Sequence, residues 1–135
     1  MLRIIALATL IAFGAEAPKL VKPTPAQTAT VKLAFGASFA DMSPFLVETA
    51  DINGDGRPDL IIVSQNSVNC GSMGCELFAL LSTANGYEAK GLDLGILSFG
   101  NGINVLSTVH NGMNDLRVDA GSHTFVWNSK LQTYQ

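Results

Sequence analysis

Charged residues and histidines are scarce in this sequence, and their scarcity excludes several classes of protein. Charged residues make up only 14% of the chain, and the formal net charge is −3. A protein that binds nucleic acid carries a basic patch or stripe, which this chain lacks. It also lacks the basic amphipathic stretch of proteins that lie on membrane surfaces. We therefore expect no nucleic-acid partner.

Recognisable catalytic motifs are missing as well. No Gly-x-Ser-x-Gly motif presents a nucleophilic serine, and nothing but its nearness to His110 marks Ser107 as a nucleophile. His110 and His123 are the only histidines. No pair of carboxylates can be identified as that of a glycosidase, because the distance between the two carboxylates cannot be read from the sequence. We predict that the protein is not an enzyme.

The N-terminus has the three parts of a secretory signal. Arg3 supplies a positive charge, residues 4–15 form an apolar segment, and Ala15-Glu16-Ala17 matches the pattern of small residues at a cleavage site. The apolar segment is too short to span a bilayer comfortably. Pro18 fits poorly after a cut at Ala17, and Ala12-Phe13-Gly14 is a second candidate, so the cleavage point stays open within residues 14–17. We predict a signal peptide over residues 1–17, a periplasmic or secreted product, and no stable membrane insertion after cleavage.

The region after the signal is rich in proline, and the remainder is rich in β-branched residues and turn residues. Residues 18–30 contain three prolines among small and polar residues, which indicates an extended linker. The chain has 135 residues, of which 47% are hydrophobic, and residues 31–135 are predicted to form a single β-rich domain.

Short apolar runs separated by turns favour a mostly β fold, with a small antiparallel sheet, a meander or a sandwich. No stretch of helical length shows a clear helical period outside the signal. The predicted strands cover residues 31–35, 45–50, 60–64, 77–82, 91–97, 104–109, 115–119 and 123–127. Asn85-Gly86 is a strong hairpin signal, and Asn111-Gly112 marks a further turn.

Cys70 and Cys75 are the only cysteines, and small residues separate them. In an exported protein two such cysteines are expected to form a disulfide, here a local clip on a turn. A redox pair normally has two intervening residues, and this pair has more. A zinc site would need two further ligands, and the two histidines are not spaced as a ligand pair.

The strongest chemical signal is the segment Asp51-Ile52-Asn53-Gly54-Asp55-Gly56-Arg57-Pro58-Asp59. It places oxygen-bearing groups at alternate positions, as loops that bind calcium do. The predicted ligands are four side chains and the backbone carbonyl of position 7; in chain order they are Asp51, Asn53, Asp55, Arg57 and Asp59. Gly56 stands at position 6, where the chain has to turn sharply.

The same segment is not an EF-hand, because position 12 is Ile62 instead of glutamate and the flanks are predicted strands. The pattern Asp-x-Asn-x-Asp-Gly-x-x-Asp between two strands resembles the calcium loops of FG-GAP and VCBS-type repeats over residues 45–64. That resemblance implies Ca²⁺ and side-chain ligation by the acids and the asparagine. A full propeller of such repeats needs at least four blades, which this chain cannot hold. An acidic turn without a metal is the alternative, since Asp, Asn and Gly are also turn residues.

These observations lead to three functional hypotheses. The first is an exported, non-enzymatic module with a structural calcium loop, which binds a protein or a cell-envelope component. The second is an inhibitor of an exported hydrolase, similar to lysozyme inhibitors, that presents the Cys70–Cys75 loop to its target. The third is a hydrolase whose catalytic metal sits at residues 51–59 with His110 as the base.

Overall fold

The computed structural model describes residues 19–135, so the predicted signal peptide lies outside the described residues. Within residues 19–135, no helix combines the length and the apolar character that a bilayer crossing requires. The described part of the chain is mostly β, as predicted, with small antiparallel sheets and one helix of moderate length.

The first element is a helix, and here the sequence-based prediction was wrong. Helix α1 spans Pro25–Phe35, so it covers both the end of the predicted linker and the predicted strand at residues 31–35. Thr24 caps it: its hydroxyl accepts from the Gln27 N–H, and the Gln27 side chain accepts from the Thr24 N–H. Proline at the first helical position suits this start, since its missing N–H would have no partner there. The capping box therefore accounts for the start of a helix where a linker was predicted.

The beginning of the described chain is also fixed to the sheet, unlike an extended linker. Val21 exchanges two backbone hydrogen bonds with Val47, at 2.9 and 2.8 Å. Lys19 Nζ donates to the carbonyl oxygen of Ile103 at 2.9 Å. After α1, a 3₁₀ turn at Gly36–Ser38 and the short helix α2, Phe39–Met42, lead into the first strand.

Eleven strands follow, and most of the predicted ones are confirmed to within a few residues. Their bounds are β1 Phe45–Ala50, β2 Asp59–Ser64, β3 Cys70–Gly71, β4 Gly74–Leu80, β5 Ser82–Thr83, β6 Gly86–Tyr87, β7 Leu92–Ser98, β8 Ile103–His110, β9 Met113–Val118, β10 Trp127–Asn128 and β11 Thr133–Tyr134. The strand predicted at residues 123–127 is limited to a single bridge between Phe125 and Leu116, followed by β10.

The main sheet is antiparallel and has β2 and β4 at its centre. Strand β1 pairs with β2, β2 pairs with β4, and β4 also pairs with β3 and β7. Three two-stranded hairpins, β5–β6, β8–β9 and β10–β11, complete the fold. The predicted turns at residues 85–86 and 111–112 lie in the first two of these hairpins.

Each face of the main sheet buries its own hydrophobic core. On one face, α1 and α2 cover residues such as Leu60, Ile62 and Phe78. On the other face, the β8–β9 and β10–β11 hairpins cover residues such as Ile61 and Leu77. Successive side chains of a strand point to opposite faces, so the four apolar residues of β2 contribute alternately to the two cores, and all four are buried.

Candidate metal loop

The acidic segment forms the connection between β1 and β2, as predicted. The two strands are paired to their ends, with Ala50 opposite Asp59, so residues 51–58 form the loop of a hairpin. Gly56 has φ +81°, in the left-handed region that favours glycine, and Gly54 has φ +72°. The sharp turn expected at position 6 is therefore present.

The Asp51 carboxylate holds the loop in shape by accepting hydrogen bonds from two backbone amides of the loop. Its Oδ1 accepts from the Gly54 N–H at 2.9 Å, and its Oδ2 accepts from the Gly56 N–H at 2.8 Å. A carboxylate oxygen has more than one lone pair, so each oxygen can still accept a cation. Asp51, at position 1, can therefore hold the loop in shape and coordinate a cation at the same time.

Asp59 is fully buried and connects three parts of the chain. Its Oδ2 accepts from the Ile52 N–H at 2.9 Å, and its Oδ1 accepts from the N–H and the hydroxyl of Ser82, at 2.8 and 3.2 Å. Burial raises the pKa of this carboxyl, the hydrogen bonds from Ser82 and Ile52 oppose the rise, and repulsion by Asp55 adds to it. Asp59 therefore ties the start of β2 to Ile52 in the loop and to Ser82 in β5.

Asp55 and Arg57 lie at the exposed tip of the loop. The Oδ1 atom of Asp55 accepts from the Arg57 N–H at 2.9 Å, and its Oδ2 lies 3.8 Å from the Arg57 guanidinium. An exposed ion pair at this distance is weak. The repulsion between Asp55 and Asp59 is therefore only partly offset within the chain, and a bound cation would offset it further.

Whether the loop suits a cation can be judged from the hydrogen bonding of Asn53, at position 3. Its Oδ1 is buried and has no hydrogen-bond partner. A buried amide oxygen without a partner is costly, and a hard cation is one group that satisfies it. Against this, no cluster of three or more His, Cys, Asp or Glu side chains suited to a metal occurs within residues 19–135. What fits calcium is the type of ligand, since the loop offers a mixture of carboxylate, amide and carbonyl oxygens.

The structure adds a residue that the sequence did not single out. Asn114, in β9, donates its backbone N–H to the Ile52 carbonyl at 2.8 Å. Its side-chain Oδ1 is buried without a partner, and it lies 3.4 Å from the point where a Cβ on Gly54 would be. Nothing in the local sequence marks Asn114, because its contact with the loop depends on how the β8–β9 hairpin packs against the sheet.

The Cys70–Cys75 disulfide is present and joins opposite residues of β3 and β4. Three large apolar side chains near it are exposed: Val68 by 72%, Met73 by 69% and Leu97 by 44%. We call these three residues the clip patch. These exposures leave the clip patch open to solvent.

The two histidines have separate surroundings. Nδ1 of His110 lies 2.7 Å from Oδ1 of Asp115, whose other oxygen accepts from the Thr108 hydroxyl at 2.5 Å. These hydrogen bonds lower the pKa of Asp115, with Thr108 having the largest effect. His123 packs edge-on against Phe125. Among the hydrogen bonds of residues 19–135, none joins either histidine to the acidic loop.

Comparison with known proteins identified no relative of this chain. No family model matches the sequence, and neither the curated proteins nor the solved structures gave a match. The resemblance to FG-GAP and VCBS-type loops therefore depends on residues 45–64 alone.

Proposed function

We propose that the protein is an exported, non-enzymatic module that binds Ca²⁺ in the loop of residues 51–59 and uses its folded surface to bind a protein or a component of the cell envelope. Calcium stabilises the junction of β1 and β2 in this proposal. The ligands are those predicted from the pattern: Asp51, Asn53, Asp55, the carbonyl of Arg57 and Asp59.

The observation that carries this proposal is the buried, unpartnered Oδ1 of Asn53 in a loop with three carboxylates. A simple turn would satisfy its own polar groups. Here the loop amides of Ile52, Gly54 and Arg57 already donate to Asp59, Asp51 and Asp55. None of these bonds involves Oδ1 of Asn53, and a buried amide oxygen in that state suits a hard cation.

We expect about 10 mM Ca²⁺ to raise the melting temperature of residues 18–135 by about 10 °C. This follows if the dissociation constant is about 10⁻⁴ M, since a ligand that binds only the folded state at about 100 times its dissociation constant contributes about 2.7 kcal/mol. The measurement is thermal unfolding by circular dichroism in EDTA and in calcium, with calorimetric titration of the metal.

The variant for this experiment is Asp51→Asn/Asp55→Asn, which removes two charges from the loop and preserves the shape of both side chains. The matched control is Asp41→Asn/Glu88→Gln, which removes two charges from exposed positions outside the loop. The control should respond to calcium like the wild type, and the loop variant should not respond. A wild-type protein that neither binds calcium nor gains stability from it would rule out the proposal.

The clip patch supports a second candidate function, inhibition of an exported hydrolase such as lysozyme. Exposed apolar side chains that cluster beside a rigid disulfide turn suit insertion into a partner's cleft. We expect the protein to slow the hydrolysis of cell walls by lysozyme, and Met73→Ser to weaken that inhibition at least tenfold, which is about 1.4 kcal/mol of binding. The exposed Leu131, outside the patch, provides the control Leu131→Ser. Hydrolysis at an unchanged rate with an excess of wild-type protein would remove this candidate.

A further inference from the structure

Strand β1 lies at the edge of the main sheet, and its outer side is only partly covered. Val47 exchanges two backbone hydrogen bonds with Val21, at 2.9 and 2.8 Å, on the side away from β2. In an antiparallel ladder, every second residue turns its N–H and carbonyl to the same side. Thr49 therefore also directs both groups outward, and it has no backbone partner on this outer side among residues 19–135.

The short segment that covers Val47 does not cover Thr49. The pairing of Val21 with Val47 sets the register of this segment. In that register Lys19 would stand opposite Thr49, but no hydrogen bond joins the two residues. Instead Lys19 turns to strand β8, where its Nζ donates to the Ile103 carbonyl at 2.9 Å. The edge of β1 is therefore free at Thr49, which is exposed.

Strand β8 has a free edge as well. Val105 stands opposite Leu116 of β9, but Leu116 exchanges both of its backbone hydrogen bonds with Phe125 on its other side. Val105 and Leu116 are therefore a pair without mutual hydrogen bonds, and Val105 turns its N–H and carbonyl away from β9. Two residues earlier, the N–H of Ile103 points the same way and donates to Oε1 of Glu48 at 2.9 Å. Val105 has no backbone partner on this side within residues 19–135.

The two free edges line one cleft of about 420 Å³, to which Thr49 and Val105 both contribute. Its lining also includes the polar side chains of Lys19, Glu48 and Asn104. A small apolar ligand would bury the backbone groups of both edges without partners, which is costly. The backbone of an extended peptide carries donors and acceptors at the spacing of a strand and would satisfy them. The cleft therefore suits a peptide better than an apolar molecule.

We propose that this cleft binds an extended peptide segment of another protein, which pairs as an added strand with Thr49 of β1 and with Val105 of β8. The segment has small or polar side chains where it faces Glu48 and Asn104. The chain itself shows this mode of pairing at Val21, and the peptide would continue the same edge. This inference rests on the proposed function, since it specifies the surface and the kind of protein segment that the exported module binds.

The test begins with a display library of random short peptides, screened against residues 18–135 in buffer that contains calcium. Thr49→Pro removes an outward N–H without loss of a hydrogen bond to β2, and proline is tolerated on an edge strand in this orientation. We expect Thr49→Pro and Val105→Pro each to weaken the binding of a selected peptide at least tenfold, measured by calorimetric titration. Thr49→Val is the matched control, because it retains the backbone N–H, and it should bind as tightly as the wild type.

Amide hydrogen exchange, followed by NMR, tests the same geometry in the wild-type protein. In the free protein the amides of Thr49 and Val105 should exchange quickly, whereas the amide of Glu48, which faces β2, should be protected. With a selected peptide bound, exchange at Thr49 and Val105 should slow at least tenfold. This measurement decides the matter if a proline variant does not fold: unchanged exchange at both residues contradicts the inference.

Other outcomes also overturn the inference. These are a library that yields no binder, a selected peptide that binds either folded proline variant as tightly as the wild type, and a Thr49 amide that is already protected in the free protein. The calcium response of residues 51–59 is measured separately, and neither proline variant lies in that loop. A protein that binds peptide in the cleft without binding calcium would end the proposed calcium loop alone, and a protein that binds calcium without binding peptide would end this inference alone.

Discussion

Replacement of Asp59 by alanine is expected to lower the free energy of unfolding by about 4 kcal/mol. The reason is the loss of a fully buried carboxylate that accepts from the Ile52 N–H and from both donors of Ser82. Breaking a buried network of this kind leaves its donors without partners, and such changes typically cost about 3–5 kcal/mol. Urea denaturation in EDTA measures the effect without any contribution from a metal.

Asp55→Ala provides the matched control in the same loop. Asp55 is exposed, and it binds only the Arg57 N–H and a distant guanidinium. In EDTA its replacement should change the stability by no more than about 0.5 kcal/mol, as for most surface substitutions. If Asp59→Ala and Asp55→Ala unfold at the same urea concentration in EDTA, the buried network does not stabilise the fold as described.

The second large effect is expected at Gly74, where alanine should cost about 3 kcal/mol or more. Gly74 has φ +112°, which L-residues rarely adopt, and strained backbone of this kind costs about 1–3 kcal/mol. An added Cβ would also lie 2.6 Å from the Ser98 carbonyl oxygen. That oxygen belongs to β7, which pairs with β4 at this point, so neither strand can yield without loss of pairing.

The control lies in the same disulfide loop. Gly71 has no atom within 4 Å of an added Cβ, so Gly71→Ala should change the stability by no more than about 0.5 kcal/mol. The two oxidised variants can be compared by urea denaturation followed by tryptophan fluorescence, since Trp127 is the only tryptophan and is buried. Equal stability of Gly74→Ala and Gly71→Ala would show that β4 and β7 are not in close contact at this glycine.

The sequence predicted the strands because their signal is local. The β-branched residues of β2 and the acidic turn before it are contiguous, and the structure has the strand and the loop in those places. Helix α1 was missed for a physical reason, since it is short of buried residues: Val31 is fully buried, but Leu33 is 87% exposed. Thr24, Pro25 and Gln27 were the signal that could have found it, because together they form a capping box with proline at the first turn.

The candidate site shows the same division between local and distant contacts. Asp51, Asn53 and Asp55 could be selected from their spacing, because loop ligands follow one another along the chain. The inward orientation of Asp59 could not, since its partner Ser82 lies on another strand. Asn114 could not be selected either, because the packing of one hairpin on one sheet brings it to Gly54. Contacts of this kind depend on tertiary structure and leave no periodic pattern in the sequence.

The position of β2 and β4 between two cores affects how the domain unfolds. Adjacent residues of β2, such as Ile61 and Ile62, belong to opposite cores, so the loss of β2 would disrupt both cores at once. We therefore expect the helical layer and the hairpin layer to be lost in one cooperative step, as single domains of this size usually unfold. Since the acidic loop is directly continuous with β2, a cation bound there would shift this unfolding step for the whole domain, including helix α1.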